Sequence, residues 1–191
     1  MKTAVLSIAI IATIFSACGN DNKSSKEANT TTDTTATNNQ ASNTTEKSAS
    51  INEIVTAYLQ LKNALVSDNS NEAATSGKQL QEATQKIDAA SFTADQKKMY
   101  DEVKAEITEH AEHISSNGGN IAHQREHFDM LSQDVYDLVK TVKPNQALYK
   151  DHCPMFNNKK GAIWLSETRE IKNPYYGNKM LTCGTVKEEI K

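Results

Sequence analysis

Residues 93–142 read TADQKKMYDEVKAEITEHAEHISSNGGNIAHQREHFDMLSQDVYDLVKTV, and this stretch contains two amphipathic helical patterns separated by a short turn. Thr93 and Gln96 have the spacing of a capping box, in which two side chains satisfy the free backbone amides at a helix start. Asn117-Gly118-Gly119 ends the first helix, and the second ends before Pro144, because these residues do not continue a helix. The stretch therefore predicts two neighbouring antiparallel helices.

Two more helices are predicted upstream, where apolar residues recur at intervals of three and four. The first begins at Ile51 and runs to about residue 68, and the second spans about residues 70–89. Four helices joined by short connections are typical of an antiparallel bundle. We therefore expect a mainly α fold, with an antiparallel four-helix bundle over residues 51–143.

Beyond Pro144 the helical periodicity disappears. Residues 144–186 are rich in aromatic and turn-forming residues, and they contain two of the three cysteines of the chain. Segments of this composition are usually packed by their own large side chains. We expect an irregular, aromatic-rich C-terminal cap that belongs to the same domain, followed by a charged tail over residues 187–191.

The first fifty residues have the composition of targeting and tethering segments. Lys2 precedes a short apolar stretch, as in a signal peptide over residues 1–18, and Phe15-Ser16-Ala17-Cys18 resembles the end of a bacterial lipoprotein signal. The resemblance implies that Cys18 is lipidated and holds the protein at a membrane. An ordinary secretory signal is the alternative. Residues 19–50 lack aromatic and large aliphatic residues, which predicts a disordered tether.

Composition excludes several classes of protein. The chain has 191 residues, of which 37% are hydrophobic and 24% charged, and this length suits one modest domain. A formal charge of −3 provides no basic surface for nucleic acid. There is no nucleophile elbow, no phosphate-binding loop and no zinc-protease motif, so we expect a protein that is not an enzyme.

Four of the five histidines lie on the two helices that the opening stretch predicts. His110 and His113 precede the turn, and His123 and His127 follow it with the four-residue spacing that places two imidazoles on one helix face. This spacing suits one metal ion held by two rings, and antiparallel helices bring both pairs towards one end of the bundle. The alternative is that the pairs arise by chance at helix margins.

Two short strings in the cap each combine a cysteine with a methionine: His152-Cys153-Pro154-Met155 and Met180-Leu181-Thr182-Cys183-Gly184. Thiolate and thioether are soft ligands that together prefer Cu(I) to harder divalent ions. Alternatively, the two cysteines form a disulfide, as is common in an oxidising envelope. Closing that loop would stabilise the fold by about 3–4 kcal/mol. Both readings stay open at this point.

The C-terminal strings resemble the family known as domain of unknown function 3347, which occurs in Bacteroidota. The resemblance extends over about residues 51–186. It rests on Tyr149-x-x-x-Cys153-Pro154-Met155, Trp164-Leu165-Ser166, Ile171-x-Asn173-Pro174-Tyr175-Tyr176-Gly177-x-x-Met180-Leu181-x-Cys183-Gly184, and, on the last helix, Gln124-Arg125-Glu126-His127-Phe128 with Leu131-Ser132.

This family includes secreted and lipid-anchored proteins, and its domain is also appended to the periplasmic adaptor subunits of copper and silver efflux pumps. The resemblance therefore implies metal handling in the cell envelope. His127 and Arg125 match the family motif, as do the cysteines and methionines of the cap, whereas His152, His123, His113 and His110 match it less closely. The metal ligands predicted from residues and resemblance together are Cys153, Met155, Met180, Cys183, His127, His123, His152 and His113.

We thus expect an envelope lipoprotein, facing the periplasm or on the outer membrane, that binds Cu(I) or a silver ion as a chaperone, a buffer or an efflux accessory. Its expected partners are the membrane, through the lipid anchor, and a heavy-metal efflux system. In this hypothesis soft ligands hold the cap against the end of the third and fourth helices, and His127 adds an imidazole. The alternative is a structural or interaction domain stapled by a Cys153–Cys183 disulfide.

Overall fold

Four helices make up the first part of the described chain. In the computed structural model the backbone is described for residues 42–191 and the side chains from residue 51 onwards. The predicted signal peptide, Cys18 and the tether up to residue 41 lie outside the described residues. The helices are α1 (Ser42–Val66), α2 (Ser70–Lys86), α3 (Ala94–Ser116) and α4 (Ile121–Val142).

The helix boundaries follow the capping residues. Thr93 and Gln96 form the predicted capping box at the start of α3, with both reciprocal hydrogen bonds present. Asn69 caps α2, since its side chain accepts a hydrogen bond from the amide of Glu72 at 3.1 Å. Two helix boundaries differ from those predicted from the sequence. The helix expected from Ile51 begins at Ser42, because extending an existing helix costs little even where residues are polar.

The second difference lies at the end of α2, which stops at Lys86 and not at about residue 89. A separate 3₁₀ helix, Ala89–Ser91, follows. The Asp88 side chain accepts a hydrogen bond from the amide of Ala90 at 2.9 Å, and this local bond favours a turn over continuation of the helix.

The C-terminal segment is not irregular as predicted but contains a three-stranded antiparallel sheet. Its strands are β1 (Leu148–Cys153), β2 (Ala162–Ser166) and β3 (Thr185–Ile190), in the order β2-β1-β3. The predicted charged tail is most of β3. The strands escape prediction because they are short, and because the outer strand β3 is mostly charged, as edge strands often are.

One aromatic side chain, Tyr175, connects the sheet region to the helices. Its ring lies 5.6 Å from that of Phe128 on α4, 4.4 Å from that of Phe156 and 6.0 Å from that of Trp164 on β2. Tyr175 and Trp164 are both buried. Because these rings touch the helical core, the helices and the sheet share one hydrophobic interior.

None of the helices in the described part of the chain has the length and apolar character that a membrane-spanning segment needs.

Candidate metal centre

The register of α3 and α4 is set by a buried glutamine next to the turn. The Gln124 amide donates to the carbonyl oxygens of Ser70, at 3.0 Å, and of Ile114, at 3.1 Å, while its oxygen accepts from the Ser70 hydroxyl at 2.7 Å. A single side chain therefore ties the start of α2 and the end of α3 to the first turn of α4. Asn120 caps α4 by accepting from the amide of His123.

This arrangement brings four histidines of α3 and α4 together at one end of the helices. The nearest ligand nitrogens of His113, His123 and His127 all lie within 4.8 Å of one another. The rings of His113 and His127 stack with centroids 4.3 Å apart, and the His123 centroid lies 4.6 Å from that of His127. His110 is adjacent, with its Nδ1 atom 3.2 Å from Nδ1 of His127.

Burial lowers the pKa values of the two inner rings, His110 and His127. The pKa of His110, which is only 8% exposed, is lowered chiefly by its removal from water. The pKa of His127 is lowered first by burial and then by the positive charge that protonated His113, His123 and His110 would carry. Neutral imidazole is the form that binds metal ions, and a lowered pKa favours this neutral form over the protonated one.

The nitrogen positions suit one transition-metal ion after small ring rotations. Imidazole nitrogens lie about 2.0–2.1 Å from a zinc ion, which places two ligands of a tetrahedral site roughly 3.4 Å apart. The ligand nitrogens of the cluster lie within 4.8 Å of one another, so closing to that spacing requires small movements of the rings. His113 and His123 are partly exposed, at 46% and 34%, and lie next to the turn.

The two cysteines of the cap meet in a different place. Cys153, at the end of β1, is buried, and its Sγ atom lies 3.0 Å from Sγ of Cys183. The hydrogen bond with Cys153 is the largest cause that raises the pKa of Cys183 to about 11. A thiol that holds its proton so firmly is a poor ligand until a metal displaces the proton. Two adjacent thiols are, in contrast, well placed to oxidise to a disulfide.

The remaining predicted ligands are at the surface of the cap. Met155 and Met180 are 42% and 39% exposed. His152 packs over Gly161, where an added Cβ atom would collide with Nε2 of His152, and Gly161 has a positive φ of 85°. The tight approach of ring and glycine gives His152 a packing role.

The structure separates the three histidines of the helices from the two thiols of the cap. Among the described side chains, the group of at least three histidine, cysteine or acidic residues close enough to share an ion contains His113, His123 and His127 and no cysteine. His127 lies with the other histidines, and the thiols lie with each other. The hypothesis of one site that combines the thiols with His127 has no counterpart in this geometry.

Several residues of the C-terminal motif have structural roles that sequence reasoning did not assign. Asn173 is fully buried, and its side chain accepts from the amides of Tyr175 and Tyr176 and donates to the carbonyl of Cys183. Gly177 has a positive φ of 52°, and a Cβ atom there would collide with Asp68 and Arg125. The turn-forming residues and the family resemblance marked this loop in the sequence, but neither predicted these contacts.

Arg125 connects this loop to the helices and is not a metal ligand. Its guanidinium donates to the carbonyl oxygens of Pro174, at 2.7 Å, and Leu65, at 2.8 Å. It also pairs with Asp68 at 2.6 Å, which lowers the pKa of that carboxyl group. Arg125 is one of the residues that carry the family resemblance. Its contacts join α4 to the end of α1 and to the loop.

Comparison with known families identifies the helical part of the chain. Residues 54–147 match the family described as "Protein of unknown function (DUF3347)". The matched region contains the four clustered histidines and ends just before β1, so the two cysteines of the cap lie beyond it. Searches of curated proteins and of solved structures found no match.

Proposed function

Because residues 54–147 of this chain belong to the DUF3347 family, whose members the sequence resemblance associates with metal handling, we propose that the protein is a metal-binding module. The observation that carries the proposal is the convergence of His113, His123 and His127, with ligand nitrogens within 4.8 Å of one another. Copper fits this donor set, because imidazole is among the ligands that copper accepts. Silver, the other expected ion, fits it less well.

The biological setting is part of the proposal. We place the protein in the cell envelope as a lipoprotein anchored through Cys18, because residues 15–18 resemble a lipoprotein signal. A tethered metal-binding domain is suited to act as a chaperone, a buffer or an accessory of a heavy-metal efflux system. We also propose that α1 to α4 form an antiparallel four-helix bundle, supported by their short connections.

The test is a metal titration of the purified full chain in competition with a chromophoric chelator. The triple variant His113→Ala, His123→Ala, His127→Ala removes the cluster, and His152→Ala is the matched control because His152 lies outside it. We expect the triple variant to lose well over 100-fold in affinity for Cu(II) or Zn(II), since replacing a single outer partner of a ligand already costs about 10–100-fold. The control keeps wild-type affinity. Equal affinity of the triple variant and the wild type would overturn the proposal.

A second candidate function is supported by the cysteine pair. With Sγ atoms 3.0 Å apart, Cys153 and Cys183 would form a staple between β1 and the loop before β3, as expected of a structural or interaction domain. Counting free thiols in protein isolated from cells without reductant tests this alternative. No free thiol at residues 153 and 183, together with absent metal binding, would favour the structural function.

A further inference from the structure

Each ring of the histidine cluster has one nitrogen that faces a partner outside the cluster. Nδ1 of His123 lies 3.5 Å from Oε2 of Glu126. Nε2 of His113 lies 4.0 Å from Oε1 of Glu109. Nδ1 of His127 lies 3.2 Å from Nδ1 of His110. The three outer partners are therefore Glu126, Glu109 and His110.

A ring nitrogen that is engaged by an outer partner leaves the opposite nitrogen for a metal ion. Outer partners of this kind fix the tautomer and the orientation of a ligating imidazole and increase its basicity. For His127, whose Nδ1 atom is engaged by His110, the nitrogen available for a metal ion is Nε2.

We infer that the histidine cluster selects a divalent ion, Cu(II) or Zn(II), over the monovalent ions Cu(I) and Ag(I), with His110 orienting the ring of His127 and the carboxylates of Glu126 and Glu109 adding negative charge beside the cluster. This inference rests on the proposed function, which it narrows from a copper or silver ion to a divalent one.

The charge of the outer partners supports a divalent ion. Three neutral imidazoles carry no charge, so Glu109 and Glu126 supply the negative charge nearest to the rings. The attraction between a carboxylate and an ion grows in proportion to the charge of the ion. Two carboxylates therefore favour a divalent ion over a monovalent one, and both are solvent-exposed, so the effect of each is modest.

The type of donor atom also favours a divalent ion. Monovalent copper is selected by thiolate and thioether sulfur, whereas imidazole suits Zn(II) and Cu(II). Among the described residues the donor group contains no cysteine, and the thiols of Cys153 and Cys183 face each other elsewhere. Met155 and Met180 belong to the cap segment and not to α3 or α4.

His110 acts as a positioning residue. It lies on the buried side of α3 and is 8% exposed, so it is held by the core rather than by solvent. When Nδ1 of His110 accepts the Nδ1 proton of His127, Nε2 of His127 is left as the unprotonated nitrogen that can bind an ion.

The experiment follows the imidazole nitrogens of the full chain by long-range ¹H–¹⁵N NMR during separate titrations with Zn(II) and Ag(I), both of which are diamagnetic. We expect Zn(II) at one equivalent to shift one ring nitrogen each of His113, His123 and His127, and in His127 the shifted nitrogen should be Nε2. Ag(I) should shift them only at higher concentration, after saturating the sulfur atoms. Observing the rings directly separates histidine binding from any thiol binding.

Three variants test the outer partners. His110→Phe keeps a ring in the buried position but removes the acceptor, and we expect about 10–100-fold weaker Zn(II) binding and a mixture of His127 tautomers. The double variant Glu109→Gln, Glu126→Gln should weaken Zn(II) binding severalfold and Ag(I) binding by a smaller factor, because the lost attraction is proportional to the charge of the ion. Glu112→Gln is the matched control, because Glu112 accepts from Gln81 and faces α2.

The outcomes separate this inference from the proposed function. If neither ion shifts the histidine nitrogens, the proposed function fails and the inference fails with it. If Ag(I) shifts them at lower concentration than Zn(II), or if His110→Phe leaves both affinity and tautomer unchanged, the proposed function stands and the inference is wrong.

Discussion

The helices and the sheet region each bring together chemically reactive side chains, but they do so over very different distances along the chain. In the helices, seventeen residues separate His110 from His127, and one short turn places them in contact. In the cap, thirty residues separate Cys153 from Cys183, and a strand, a loop and a buried asparagine are needed to align them. The proximity of side chains on neighbouring helices can therefore be predicted from their spacing in the sequence. The proximity of the two cysteines depends on the fold of the whole cap.

Removing the ring of Tyr175, at the centre of the cap, should have the largest effect on the free energy of unfolding. We expect Tyr175→Ala to reduce the free energy of unfolding by about 3–5 kcal/mol, because the buried ring contacts Phe128, Phe156 and Trp164. Urea unfolding followed by circular dichroism measures the loss. Tyr149→Ala is the matched control, since Tyr149 is only partly buried, and its cost should be clearly smaller.

The two regions should also respond to pH in opposite directions. Asp151 on β1 is fully buried and neither carboxylate oxygen has a hydrogen-bond partner. Burial, as the largest cause, raises its pKa to about 7, with Lys62 opposing and Glu167 adding to the shift. The folded state thus binds a proton that the unfolded state releases near pH 4. The stabilisation that Asp151 contributes should be lost as the pH rises from about 4 to 7, by about 1.4 kcal/mol per unit of pKa difference.

The helical histidines give the opposite slope. Burial lowers the pKa values of His110 and His127, so the unfolded state binds protons more readily, and the contribution of these two histidines to stability should fall as the pH drops below about 6.5. Denaturant midpoints measured from pH 4 to 9 test both trends. Asp151→Asn should remove the loss between about pH 4 and 7, so its midpoint should rise relative to that of the wild type over this range, and His127→Gln should reduce the loss below about pH 6.5. A profile of Asp151→Asn that parallels the wild type would contradict the assignment.

The alignment of the thiols should depend on Asn173. We expect Asn173→Ala to cost about 2–3 kcal/mol, because the amides of Tyr175 and Tyr176 and the carbonyl of Cys183 lose their partner. Alkylation of reduced Cys183 should become faster, while the affinity of the histidine cluster for Zn(II) should stay at the wild-type level. A parallel loss of Zn(II) affinity would show that the two regions are coupled.

The smallest expected effect concerns the exposed methionines. Met155→Leu and Met180→Leu, alone or together, should change the free energy of unfolding by less than about 0.5 kcal/mol, because both side chains are at the surface. Zn(II) affinity should not change either. A clear loss of Cu(I) affinity in the double variant would instead support the soft-ligand site expected from the sequence.

The sequence predicted the helices more accurately than the cap. The capping box at Thr93 and the stop before Pro144 depend on residues within one helical turn, so α3 and α4 could be located directly. The four-residue repeat of His123 and His127 likewise placed both on one face. The sheet could not be predicted, because β1 pairs with β3 across more than thirty residues and the charged strand β3 has no apolar alternation.

Within the candidate site, the sequence by itself determined which histidines share a helix face, since that follows from 3.6 residues per turn. Only the tertiary structure decided which of the predicted ligands come together. Gln124 sets the register that brings His110 against His127, and Asn173 sets the loop that brings Cys183 to Cys153. These partners lie on different elements, and their distances depend on packing between elements, which no local pattern encodes.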